Sequence, residues 1–260
     1  MEWERNLLVF PGLVNVMGSP LLAVAAGGWS RSGHNGGVLT VRHVTRLTLG
    51  LLGLMALAGW GLWWAFPPAN GVALPRNVGL GAGVLAFSLA FAAGLKPGWS
   101  WWLAPLYSLA GGVFMAGLAR ALDVRFPGVA LQSVLVTLGV FAVMWALYVG
   151  RWLRATPRLR LAVYAATGGI TLVYLLGLLL SLMGLPLAWL GEGGLGAVLW
   201  YGFVAVTAAL NLVVDFERIE RLQRQQVPAD YAVYVALGLV VTVVWMYVSI
   251  LRMLASLRRG

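Results

Sequence analysis

The chain contains no cysteine, which excludes disulfide staples, thiolate metal sites and cysteine nucleophiles. Charge is also scarce. Charged residues make up 10% of the 260 positions, against roughly 25% in a soluble domain. A chain so depleted cannot cover a water-facing surface, and with 61% hydrophobic residues much of it has lipid as its solvent. Histidine occurs twice, at His34 and His43. Two isolated imidazoles make a poor metal site, and an interfacial or solvated role is expected for both. No His-Glu-xx-His, Gly-x-Ser-x-Gly or phosphate-cradling Gly-Lys-Ser/Thr motif is present, so neither catalysis nor a cofactor is expected. No internal repeat stands out.

What is present is a series of long apolar runs. A helix needs about 20 mostly apolar residues to cross the hydrocarbon core, and seven stretches meet or approach this: 45–66, 77–95, 99–119, 127–150, 159–183, 195–214 and 231–251. Pro67-Pro68, Pro97, Pro127 and Pro228 stand at their edges, where proline starts or ends a helix without costing an interior hydrogen bond. The expected fold is all-α, a polytopic membrane protein with seven transmembrane helices. Residues 1–44 form an N-terminal cytoplasmic or interfacial segment, and residues 45–260 the membrane domain. Leu21–Ala26 superficially resembles a signal-peptide cleavage region. Glu2 and Glu4 offset Arg5, however, and Pro11-Gly12 and Asn15 interrupt the apolar stretch, so an uncleaved segment is expected.

The formal net charge is +10. Its basic residues lie between the apolar runs rather than along one groove-sized stripe, which argues against nucleic acid and for lipid headgroups. With the N-terminus cytoplasmic, twelve of the 18 Lys and Arg residues fall on that side and six on the other. The positive-inside rule then places the chain in the inner (cytoplasmic) membrane, N-terminus inside and C-terminus outside.

Small residues mark expected helix contacts, since backbones approach closely where side chains are short: Gly79 with Gly83, Gly112 with Ala116, Ala165 with Gly169, and Ala205 with Ala209. Polar residues line single helical faces in the C-terminal half. The fifth run carries Tyr164, Thr167, Thr171 and Tyr174. The sixth carries Thr207, Asn211 and Asp215, and the seventh Thr242, Trp245, Ser249 and Arg252. Ser133 and Thr137 add to these from the fourth. Two accounts fit such stripes: hydrogen bonds between helices, or a shared hydrated interior. Asp215 is the sharpest feature. Twenty uncharged residues, 195–214, precede it and span about 30 Å, the hydrocarbon thickness. The helix is expected to continue beyond it to about Val227, with Glu217–Arg221 and Glu220–Arg224 as i,i+4 pairs. Asp215, on the Asn211 face, then points back into the bundle. An ordinary interfacial aspartate is the alternative reading.

Four segments together resemble the Bax inhibitor-1/YccA-like family of seven-helix membrane proteins: Phe126-Pro-Gly-Val-Ala-Leu-Gln-Ser-Val-Leu-Val-Thr137, Val163-Tyr-Ala-Ala-Thr-Gly-Gly-Ile170, Ala209–Glu220 around Asn211 and Asp215, and Gly238–Leu254. The resemblance implies a bundle with the seventh helix central. It further implies a pH-sensitive calcium leak, or restraint of a membrane-bound protease, or control of stress and cell death. The leak is attributed to two aspartates, one ending the sixth helix and one in the seventh. Asp215 matches the first, whereas the second position falls on Thr242.

Two functions are therefore carried forward. The first is a cation (calcium) leak using Asp215, Asn211, Thr207, Thr242 and Arg218 as pathway and sensor, lined by Thr167, Thr171, Tyr174 and Ser249. One carboxylate among hydroxyl and amide oxygens falls short of the six to eight oxygens of a tight calcium site. Weak cation binding and no high-affinity metal site are expected. The second is a non-conducting regulator that docks a membrane-protein partner, such as a protease, on the charged extension Glu217–Gln226.

Overall fold

Inside a bilayer no water satisfies the backbone, so an apolar run must bond within itself as a helix. The computed structural model describes residues 37–65, 76–183 and 194–259, and within them the runs form seven long helices. These are α1 (Val41–Ala65), α2 (Arg76–Leu95), α3 (Ser100–Asp123), α4 (Val129–Val149), α5 (Pro157–Leu182), α6 (Leu195–Arg224) and α7 (Tyr231–Leu257). All seven are long and apolar enough to span a membrane, and the chain is a multi-pass membrane protein. Many large apolar side chains lie on their outer faces. They include Trp60 and Trp64 at the end of α1, Trp99 just before α3, Trp101 and Trp102 at its start, and Trp152 after α4. Tryptophan at helix ends is the mark of a membrane–water interface.

The helix ends depart from the apolar runs because polar groups set them. α1 starts inside the segment read as interfacial: Thr40 caps it, its Oγ1 accepting the His43 N–H at 3.2 Å. The remainder of that segment, residues 1–36, lies outside the described residues. The Asp123 carboxylate accepts the Ala130 N–H near the start of α4, after Gly128 turns the chain with φ 83°. Thr156 Oγ1 accepts the Leu159 N–H at 3.2 Å, opening α5 ahead of Pro157. α6 does continue past Asp215. It stops at Arg224, short of the expected Val227, where Gln226 adopts a left-handed φ of 52°. α7 extends six residues beyond the expected 251.

Two compact units divide the chain. The first holds the described residues up to Phe114 together with Ile219–Gly238. In it Val44, Thr48, Leu51 and Met55 form the buried face of α1. Gly112 of α3 lies so close to α1 that an added Cβ would meet the Met55 carbonyl and come within 2.9 Å of Ala58 Cβ. Gly83 of α2 is similarly covered, by the Phe114 ring at 2.7 Å from such a Cβ. A short antiparallel clasp closes this unit. Val38 faces Pro228, Leu39 N–H donates to the Val227 carbonyl at 2.8 Å, and Ala229 N–H donates to Gly37 at 3.0 Å. Val41 N–H donates to Gln223 Oε1 at 2.9 Å. Leu39 and Tyr231 are fully buried there. Among the described residues six helices of membrane-spanning length lie between the two halves of this clasp, and an even number of crossings returns a chain to the side from which it left.

The second unit holds Met115–Arg218 and Leu239–Gly260. Ala119, Val129, Tyr247 and Leu251 form a buried cluster in it, with Met115, Leu118 and Phe126 packed against them. The Arg258 guanidinium ties the end of α7 to the entry of α4, donating to the Pro127 carbonyl at 2.6 Å and to Gln132 Oε1 at 2.8 Å. The face expected at Ala165 and Gly169 makes no such approach: both are exposed, and nothing stands within 4 Å of a Cβ added at Gly169. Of the seven spans, α6 and α7 are the most interior. They bury 56% and 61% of their apolar windows, where the others bury 11–39%.

Candidate functional site

α6 carries the site because it is long and interior. Its 30 residues extend about 45 Å, so a stretch apolar enough for the hydrocarbon is followed by a charged end outside it. Along its apolar stretch, polar side chains of α6 reach α5 and α7 at three levels. Nearest its start, Tyr201 accepts a hydrogen bond from the Arg252 guanidinium of α7 at 3.3 Å. Deeper along, Asn211 Nδ2 donates to Thr167 Oγ1 of α5 at 2.9 Å and to the Thr207 carbonyl at 3.1 Å. Near the charged end, Thr242 Oγ1 of α7 donates to Asp215 Oδ2 at 2.7 Å. Cross-helix bonds of this kind in membranes contribute about 0.6 kcal/mol on average. Their value here is in fixing which faces of α5, α6 and α7 meet.

The Asp215–Thr242 pair is the most specific of the three. The carboxylate has about four lone-pair sites, of which the Thr242 hydroxyl occupies one, and the residue is only partly buried. Arg218 stands one turn further along α6, its Nε shielded from solvent and without a hydrogen-bond partner. Beside it Glu217 faces Arg160 of α5, 3.7 Å away, both about a quarter exposed. At that exposure an ion pair contributes at most about 1 kcal/mol. The Glu220–Arg224 pair forms as expected, at 3.1 Å.

The other stripe residues behave differently. Thr207 is buried, and its hydroxyl donates to the Phe203 carbonyl of its own helix. Ser249, also buried, donates to Trp245, and Thr171, exposed, donates to Thr167. Ser133 and Thr137 likewise turn to carbonyls four residues back. Tyr174 packs edge-on against Trp200, ring centroids 6.2 Å apart, while Tyr164 is exposed. The stripes thus divide into cross-helix bonds, made by Asn211 with Thr167, Asp215 with Thr242 and Arg252 with Tyr201, and a set of hydroxyls satisfied by their own backbone. Sequence reasoning missed Tyr201 and Arg160. A lone tyrosine and one arginine among several carry no spacing signal toward partners on other helices.

The family model described as Bax inhibitor 1 like matches residues 19–259. The chain belongs to that family. The match takes in all seven helices, and Asp215 and Thr242 both lie within it. No curated protein and no solved structure matches the chain.

Proposed function

We propose that this Bax inhibitor 1 like protein is a cation leak whose resting state is held by the Asp215–Thr242 hydrogen bond. That contact, at 2.7 Å, carries the reading. It joins the two most interior helices through a carboxylate that keeps lone pairs beyond the one the Thr242 hydroxyl takes. Thr242 stands where the family resemblance implies a second aspartate, and the exchange has a physical consequence. Two close carboxylates hold together only while they share a proton and repel once both are charged. A threonine hydroxyl needs no bound proton from solution to donate. The contact in this chain therefore responds less to pH than a carboxylate pair would. The charge distribution supports placing the start of α1 and the end of α6 on the cytoplasmic side of the inner membrane.

The test is calcium flux into dye-loaded liposomes at pH 6 and pH 8. Wild type is expected to leak with little pH dependence, Thr242→Val to leak faster, and Asp215→Asn to leak at an altered rate. Thr242→Asp is expected to acquire pH dependence, with more flux at pH 8, where two carboxylates repel. Equal flux for the wild type, these variants and empty liposomes would sink this reading.

That outcome would favour the regulator reading, which one observation supports. Gln223, Arg224, Gln225 and Gln226 are all exposed at the end of α6, beyond the apolar stretch, where a membrane-protein partner can reach them. A stable partner recovered from detergent extracts, and lost on substituting Arg224 and Gln225, would establish it.

A further inference from the structure

The short connection between α4 and α5 has a chemistry that the leak does not use. Arg151, Arg154 and Arg158 are exposed, Arg160 is half-buried, and no acidic residue occurs from 151 to 160. Among them Trp152 is 86% exposed, the most exposed of the large hydrophobic side chains described. In water so bare an indole is costly, whereas at a bilayer interface its ring is solvated by headgroups and its N–H is free to bond.

The backbone is shaped to present this group. α4 ends as Arg151 N–H donates to the Tyr148 carbonyl at 3.0 Å and Trp152 N–H to Leu147 at 3.0 Å. Arg151 itself takes the left-handed φ of 60°, the position after a helix end that glycine normally fills. An arginine there accepts backbone strain, and such strain points toward a use for the side chain. Six residues later Thr156 and Pro157 open α5. The connection joins two helices that are each long and apolar enough to cross the membrane, which puts its guanidiniums close to the headgroup layer.

We infer that the α4–α5 connection is a binding site for anionic phospholipid headgroups, with Arg151, Arg154 and Arg158 holding the phosphate and Trp152 seated among the upper acyl carbons. Charge complementarity selects the occupant. Guanidinium forks match phosphate oxygens in pairs, and the neighbouring tryptophan requires an apolar phase that a soluble anion or a nucleic acid lacks. This site is independent of whether the protein conducts ions.

The test uses the full-length protein in zwitterionic detergent, titrated with phosphatidylglycerol or phosphatidylcholine and read by native mass spectrometry. Each arginine near an anionic surface is worth about fivefold in binding, so wild type should prefer phosphatidylglycerol on the order of a hundredfold. The triple variant R151Q/R154Q/R158Q should lose that preference, and the triple lysine variant should keep most of it. Trp152→Ser should weaken both lipids a few-fold while leaving their ratio unchanged. Arg151→Gly guards against misfolding, because glycine relieves the left-handed turn: it should fold at least as stably as wild type yet lose about fivefold in preference. Excess glycerol 3-phosphate should not displace the lipid. A triple glutamine variant that retains the wild-type preference, or a wild type that shows none, would overturn the proposal. Arginines that serve only to orient the chain during insertion would give the second result.

Discussion

At the scale of single residues, the difference between a threonine and an aspartate at position 242 decides how the α6–α7 contact behaves. Removing only the hydroxyl, in Thr242→Val, leaves the Asp215 carboxylate without the donor now at 2.7 Å. A double-mutant cycle with Asp215→Asn, read by thermal unfolding in detergent, is expected to give a coupling of roughly 0.6–1.7 kcal/mol. A coupling near zero would mean that the contact is incidental. Gly112 offers a purely structural contrast. Because a Cβ there runs into the α1 backbone at Met55, Gly112→Ala should destabilise by about 1–3 kcal/mol, whereas Gly169→Ala, with open space around it, should be close to neutral. Asp215 was legible in the sequence because a lone carboxylate after twenty uncharged residues has few places to go. Its partner Thr242 was legible as a position on a face of the seventh run and, through the family resemblance, as the place of a second aspartate. The Arg160–Glu217 pair was not legible at all, since nothing along the chain tells an arginine of α5 which carboxylate of α6 it will meet.

At the scale of elements, the number and approximate extent of the helices followed from apolar length, which lipid imposes directly. Their ends did not, because each is set by a local device: the Thr40 and Thr156 caps, the Asp123 carboxylate under α4, the left-handed turns at Arg151 and Gln226. Small-residue spacing was right at Gly83 and Gly112 and wrong at Gly169. Such spacing shows that a backbone can approach but not that one does. The polar stripes left two accounts open for a similar reason. A buried serine or threonine in a helix has a carbonyl four residues back always within reach, and most of the stripe hydroxyls here take it. The clasp between Gly37–Val41 and Gln223–Ala229 is testable as an element, and the absence of native cysteine makes the test clean. Residues facing one another across an antiparallel bridge have Cα atoms about 4.5–5.5 Å apart, within disulfide range. Val38→Cys/Pro228→Cys should therefore cross-link under mild oxidation in membranes. Failure to cross-link would place the two segments apart, and with them the count of six intervening crossings would lose its support.

At the scale of the whole molecule, three helices belong to both compact units: α3 passes from one to the other after Phe114, α6 after Arg218 and α7 after Gly238. The orientation proposed for the chain makes a prediction at this scale. A reporter fused after Gly260 should register outside the cell, and one inserted in the α4–α5 connection inside it; any other pattern rejects the N-inside arrangement. The clasp, finally, bears on how such a chain is made. Its two halves are 182 residues apart at Val41 and Gln223, which at about 5–20 residues per second corresponds to roughly 10–40 s of synthesis. The first strand of the clasp waits through the insertion of every helix up to α6 before its partner leaves the ribosome. The Leu39 N–H has no Val227 carbonyl to bond until that partner arrives, so until then backbone groups of this end stay unpaired and open to chaperones and proteases. Closure of the clasp thus marks the moment at which a nascent chain has placed six helices in register, and a chain that stalls or mis-inserts one of them keeps that end exposed.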